Sequence, residues 1–73
     1  MNLYPFHDVV KNAQNAILTG ATVFQQFNCA HCGVKQTMSE PNKFFTEGIC
    51  EECEGMTDIV KDGCNFLVMR NSG

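Results

Sequence analysis

No run of apolar residues in this 73-residue chain approaches the roughly 18 needed to cross a bilayer, and no basic segment leads into an apolar stretch near its start. A membrane span and a secretory leader are therefore not expected, and the reading is of a soluble, cytoplasmic protein. Basic residues are few. The five Lys and Arg residues (Lys11, Lys35, Lys43, Lys61, Arg70) are scattered along an acidic chain of formal net charge -3. A protein that lives on phosphate contacts normally gathers its cations into a stripe, so nucleic-acid binding is disfavoured, with a local patch from Lys35 and Lys43 as its best remaining basis. Tryptophan is absent and Tyr4 is the single tyrosine. With only His7 and His31, both read as surface residues, no Ser/His/Asp or Cys/His catalytic arrangement can be argued, and an enzyme is not expected. Repeats, low-complexity segments and a second domain are also missing.

Length is short as well. A domain of this size buries only about 60% of the surface its unfolded chain exposes, so a disulfide framework, a metal or oligomerisation should supplement the core. Five cysteines are present, an odd number, and four of them form two identical CxxC pairs. That pattern favours metal over disulfides.

The decisive stretch is Cys29-Ala30-His31-Cys32, seventeen intervening residues, then Cys50-Glu51-Glu52-Cys53. Two residues between thiolates let a tight knuckle aim both sulfurs at one ion, and two knuckles complete a closed tetrahedral sphere. Gly33 and Gly55 supply the permissive backbone such turns need. One structural zinc per chain, held by Cys29, Cys32, Cys50 and Cys53, is the expected cofactor. With four protein ligands there is no open position for water, so metal-dependent hydrolysis is disfavoured. Counting four thiolates and one Zn²⁺ takes the net charge to about -5.

From these residues, over about positions 21 to 69, the chain resembles the zinc-ribbon family, with one knuckle on each of two hairpins. It departs from the usual pattern at Glu54, where many ribbons have glycine, and in its N-terminal helix. It is similar to small zinc-ribbon proteins of bacteriophage and bacterial genomes, a resemblance that would imply a partner in host transcription or defence machinery and residence in host cytoplasm. The knuckles also resemble those of rubredoxins, which bind iron, but the aromatic core of that family is missing here. A treble clef, in which the second CxxC opens a helix, is disfavoured by Gly55, Thr57, Ile59 and Val60.

The expected fold is a small zinc-stabilised α+β domain spanning 1–73, with an N-terminal amphipathic helix (1–20), an antiparallel zinc ribbon (21–69) and a tail (70–73). Apolar residues at Phe6, Val10, Ala13 and Ile17, flanked by Val9 and Ala16, predict a helix from Phe6 to Thr19, with Pro5 and Asp8 at its start and Gly20 after its end. Its stripe covers the ribbon core or, alternatively, docks on a partner or a second copy. From Ala21 the period changes to two, placing Val23, Gln25, Phe27 and Cys29 on one face. Strands are predicted at Val34–Met38 and Lys43–Ile49, separated by a turn at Ser39–Asn42. A final hairpin is predicted from Met56–Val60 through Lys61-Asp62-Gly63 to Cys64–Met69. Cys64 is read as buried beside Phe66 and Val68.

Glu47, Glu51, Glu52, Glu54 and Asp58 gather around the second knuckle. The expected function is a non-enzymatic protein-interaction module in which acidic Glu51, Glu52 and Glu54, with Phe44 or Phe45 as apolar anchor, contact a basic surface of a larger protein. Such a module is compatible with a free protein, a homo-oligomer or one subunit of an assembly. Nucleic-acid binding is the alternative, and a rubredoxin-like iron carrier the third reading.

Overall fold

The computed structural model describes residues 3–70. Helix α1 (Phe6–Leu18) is followed by strands β1 (Ala21–Asn28), β2 (Lys35–Thr37), β3 (Glu47–Ile49) and β4 (Met56–Asp58), a single helical turn α2 (Ile59–Asp62), and β5 (Asn65–Arg70). The strands form two antiparallel sheets, one of three strands in the order β2-β1-β5 and one pairing β3 with β4. The architecture is a small α+β one, with an N-terminal helix and antiparallel strands.

Helix α1 ends as its sequence suggests. Thr19 caps it with both its amide and its hydroxyl on Ala16, and Gly20, at φ 94°, donates to Ile17 in a left-handed conformation that a side chain would strain. Val9 and Ala13 are buried, while Phe6, Val10, Ala16 and Ile17 pack partly against the same core. The apolar stripe of α1 thus covers its own chain's sheet.

The alternation in β1 is complete: Ala21, Val23, Gln25, Phe27 and, just beyond the strand, Cys29 are buried, and the residues between them are half-exposed. Phe27, Val23, Ile59, Cys64 and Phe66 join Val9 and Ala13 in the core. Cys64 is fully buried, as expected; Val68, placed on the same face, is 44% exposed because it lies at the sheet's rim.

Two sequence expectations need correction. The segment after Cys53 is not a hairpin. Asp58 accepts a hydrogen bond from the Lys61 amide at 3.2 Å and so caps α2, which absorbs Ile59 and Val60 and ends at Gly63 with φ 87°. That turn lets β4 pair with β3 while β5 travels to β1, pairing from Gln26↔Asn65 to Ala21↔Arg70. Arg70, expected in the tail, is the last residue of β5; Asn71, Ser72 and Gly73, also expected there, lie outside the described residues.

The second correction concerns Lys43–Ile49, of which only Glu47–Ile49 is strand. Residues 43–45 are held by a side chain rather than by a ladder. The fully buried Gln25 amide donates to the Phe45 carbonyl (2.9 Å) and accepts from the Phe45 amide (2.6 Å), so it stands in for a neighbouring strand. Strand alternation therefore does not govern Phe44 and Phe45, and both are half-buried against the core, Phe44 edge-on to Phe66 at 5.4 Å. Upstream, Asn42 extends the same device. Its side chain accepts from the Val23 amide (2.9 Å) and its own amide donates to the Val23 carbonyl (2.7 Å).

Candidate metal centre

Both cysteine pairs sit in the turn between two antiparallel strands, Cys29 and Cys32 between β1 and β2, Cys50 and Cys53 between β3 and β4. The two turns repeat one hydrogen-bond pattern. In the first, Cys29 donates to Val34 and Gly33 donates back to Cys29, both at 2.9 Å; in the second, Cys50 donates to Gly55 (3.0 Å) and Glu54 donates back to Cys50 (2.9 Å). The amides of His31 and Glu52, two residues beyond the leading cysteine of each pair, approach its sulfur at 3.4 Å.

The repeat explains why Glu54 stands out in the sequence. It occupies the position of Gly33, and both are left-handed, Gly33 at φ 78° and Glu54 at φ 60°. A side chain there costs about 1–2 kcal/mol, against about 0.5–1 kcal/mol of extra backbone entropy lost by glycine on folding. Glu54→Gly is therefore expected to stabilise the metal-loaded protein by about 0.5–1 kcal/mol, read as a rise in denaturation midpoint; a fall would show that Glu54 makes a compensating contact.

All four sulfurs lie within 4.8 Å of one another, with Cys29 and Cys53 at 3.4 Å and Cys32 and Cys50 at 3.6 Å. A tetrahedral ion with bonds of about 2.3 Å to sulfur spaces its ligands about 3.8 Å apart, so the cluster fits such an ion with little movement. Cys29 and Cys50 are buried, whereas Cys32 and Cys53 face the surface. Gln36 adds a donor to the Cys50 sulfur at 3.5 Å.

Without a cation these thiols do not ionise together. The Cys32 amide, helped by the His31 amide and the neighbouring thiols and opposed by burial, draws Cys29 down to about 6. Cys32 moves the other way: the Val34 amide lowers it, but Cys29, burial, Cys50 and Cys53 together push it up to about 12. Cys53 is lowered by the Gly55 amide and raised by more than that through Cys29, burial and Cys50. A divalent cation taking all four sulfurs as thiolates must then expel at least two protons near neutral pH, from Cys32 and Cys53. The metal-bound form carries fewer protons, so affinity rises with pH. A chelator competition, corrected for the chelator's own protonation, is expected to show an increase of at least about 100-fold per pH unit around neutrality, and a pH-independent affinity would mean that these thiols are not the ligands.

Three further residues position the centre without an obvious sequence signal. The buried Thr57 hydroxyl accepts from the Ala30 amide at 2.9 Å, tying β4 to the first cysteine turn. Exposed His31 lies over Gly55, where a Cβ would meet its ring, and its Nε2 donates to the Met56 carbonyl at 3.1 Å. Gly48 is similarly obligatory, since a Cβ there would lie 2.6 Å from the Phe27 ring. Cys64 does not join the cluster. Burial raises its thiol, the Gln25 amide 3.7 Å away opposes this only partly, and among the described residues no metal-ligating cluster includes it.

Glu47, Glu51, Glu52, Glu54 and Asp58 are all exposed around the β3–β4 hairpin, with Glu47 directly opposite Asp58. The apolar residues most exposed beside them are Ile49 (64%) and Met56 (56%), also opposite one another, rather than Phe44 or Phe45. Lys35 and Lys43 are exposed. Among the described residues no helix is long and apolar enough to cross a membrane.

No family model matches the chain, and comparisons with curated proteins and with solved structures return no match.

Proposed function

We propose that this chain is a non-enzymatic zinc-ribbon protein in which one structural zinc, bound by Cys29, Cys32, Cys50 and Cys53, fixes the β3–β4 hairpin as a contact surface for a basic region of another protein. The observation that carries this reading is the hairpin's outward face. Ile49 and Met56 form an exposed cross-strand apolar pair, and Glu47, Asp58, Glu51, Glu52 and Glu54 surround it. Like charges opposite one another, as at Glu47 and Asp58, disfavour the isolated hairpin, and a cationic partner relieves that repulsion. The carboxylates would speed encounter and select the partner, while the apolar pair supplies most of the affinity.

The metal and the surface are tested separately. Native mass spectrometry of protein purified without added metal should find one zinc per chain; iron would move the rubredoxin-like reading to the front. An affinity pull-down from source-cell lysate should then lose its specific partner when Glu51 and Glu52 are both changed to Lys, with zinc content and folding unchanged. Unaltered recovery would sink the acidic-face proposal. Oligonucleotide binding at low salt that Lys35→Ala and Lys43→Ala abolish would favour the nucleic-acid alternative.

A further inference from the structure

The direction of the main-chain groups in β5 follows from its neighbour. Val23 spends both its amide and its carbonyl on Asn42, on the β2 side of β1, so it offers neither to β5. Its partner Val68 is therefore a non-hydrogen-bonded partner of β1, and the Val68 N–H and C=O point away from the sheet. The same parity holds at Cys64, whose outward amide and carbonyl are taken up by Tyr4, and at Phe66, whose amide is capped by the Asn65 side chain at 2.8 Å. Beyond Phe66 this edge has no strand partner among the described residues.

The usual protections of an open edge are missing here. Asn65 to Met69 contains no Lys, Pro or acidic residue, and Leu67, Val68 and Met69 are 44%, 44% and 54% exposed. Between this edge and α1 lies an open groove of about 310 Å³, lined chiefly by Val9, Ala13, Phe66 and Val68, with Asp8 and Asn12 on its helical side.

We propose that the β5 edge pairs antiparallel with β5 of a second copy of this chain, centred on Val68. The pattern is self-complementary. An antiparallel pair about Val68 lets the two Val68 residues exchange both of their free hydrogen bonds and sets Arg70 of each copy opposite Phe66 of the other. Each Arg70 then enters the groove flanked by the other copy's Asp8, releasing its exposed 3.1 Å contact with the Thr19 hydroxyl. Charge favours this edge over the rest of an acidic molecule, because two opposite-charge contacts form and no like charges meet along Asn65–Met69. A contact this small belongs to the low end of specific interfaces, so a reversible dimer is expected.

Sedimentation equilibrium of the full-length, metal-loaded chain from about 1 µM to about 1 mM tests the pairing. The expected result is a monomer–dimer equilibrium. Val68→Pro should abolish it without unfolding, because the lost N–H is the outward one and the β1 ladder stays intact. Asp8→Arg and Arg70→Asp should each weaken dimerisation at least tenfold, and their combination should restore it. Hydrogen exchange gives a readout free of any variant: the Val68 amide should become protected as concentration rises. A chain that is monomeric throughout, with Val68 exchanging freely, would overturn self-pairing and leave the edge to a strand from another protein. Dimers indifferent to Val68→Pro would overturn it equally.

Discussion

Cys29→Ser is expected to leave the chain unfolded at room temperature, and a strong chelator should do the same to the unaltered protein. Among the described residues the apolar core cluster has seven buried members, Val9 and Ala13 of α1 included, and a core in a chain this short rarely supplies more than about 3–5 kcal/mol. Metal bound by four thiolates contributes about 10–16 kcal/mol in comparable small modules, so its loss exceeds what the core can absorb. Cys29 is the most damaging single choice, since it is buried, accepts two amides at 3.4 Å and sits 3.4 Å from Cys53. Loss of helical circular dichroism together with collapse of amide dispersion in NMR is the expected result. A dispersed spectrum without metal would show that α1, β1 and β5 suffice for folding.

The second large effect lies away from the sulfurs. Gln25→Met keeps the volume and the strand but leaves the partly buried Phe45 amide and carbonyl without their partner. Leaving one such group unsatisfied costs about 1–3 kcal/mol, and two are affected, so a loss of about 2–6 kcal/mol is expected from denaturant unfolding of the metal-loaded protein. A loss well below about 1 kcal/mol would mean that residues 43–45 move away and find water instead. Metal stoichiometry should not change, which separates this effect from that of Cys29→Ser.

Gln25 also illustrates where sequence reading stops. Its inward orientation is legible from the alternation of Val23, Phe27 and Cys29, and a polar residue in such a stripe signals a buried hydrogen-bond partner. Which backbone it clamps is a long-range matter that no local pattern carries. The same division separates the correct readings from the corrected ones. Helix α1, strand β1 and the meeting of the two cysteine pairs rest on short-range spacing, and the structure brings those four sulfurs together. The final hairpin fails because Ile59 and Val60 have strand-like propensities that the Asp58 cap and Gly63 override, and because β5 chooses a distant partner over its sequence neighbour. Phe44 and Phe45, the apolar anchor expected from the sequence, pack instead half-buried against the core, because their segment is held through the Gln25 side-chain amide rather than by a strand ladder. The acidic character around Cys50 and Cys53 is plain in the sequence, but the exposed pair Ile49 and Met56 emerges only from the register of β3 against β4.

The pairing of β1 with β5 also sets the order in which the chain can assemble. Gln25 and Cys64, in contact across that sheet, are 39 residues apart in sequence, whereas the β1–β2 and β3–β4 hairpins close locally. Slow steps in folding are those that must close long loops before any contact rewards them. Both cysteine turns lie inside the interval that β5 must bridge, so a metal held by the sulfurs of residues 29–53 would shorten the loop left to close. In chain order all four ligands precede β5. A metal bound there would tie the two cysteine turns together ahead of the three-stranded sheet, leaving β5, which carries Phe66 into the core, as the strand that completes it.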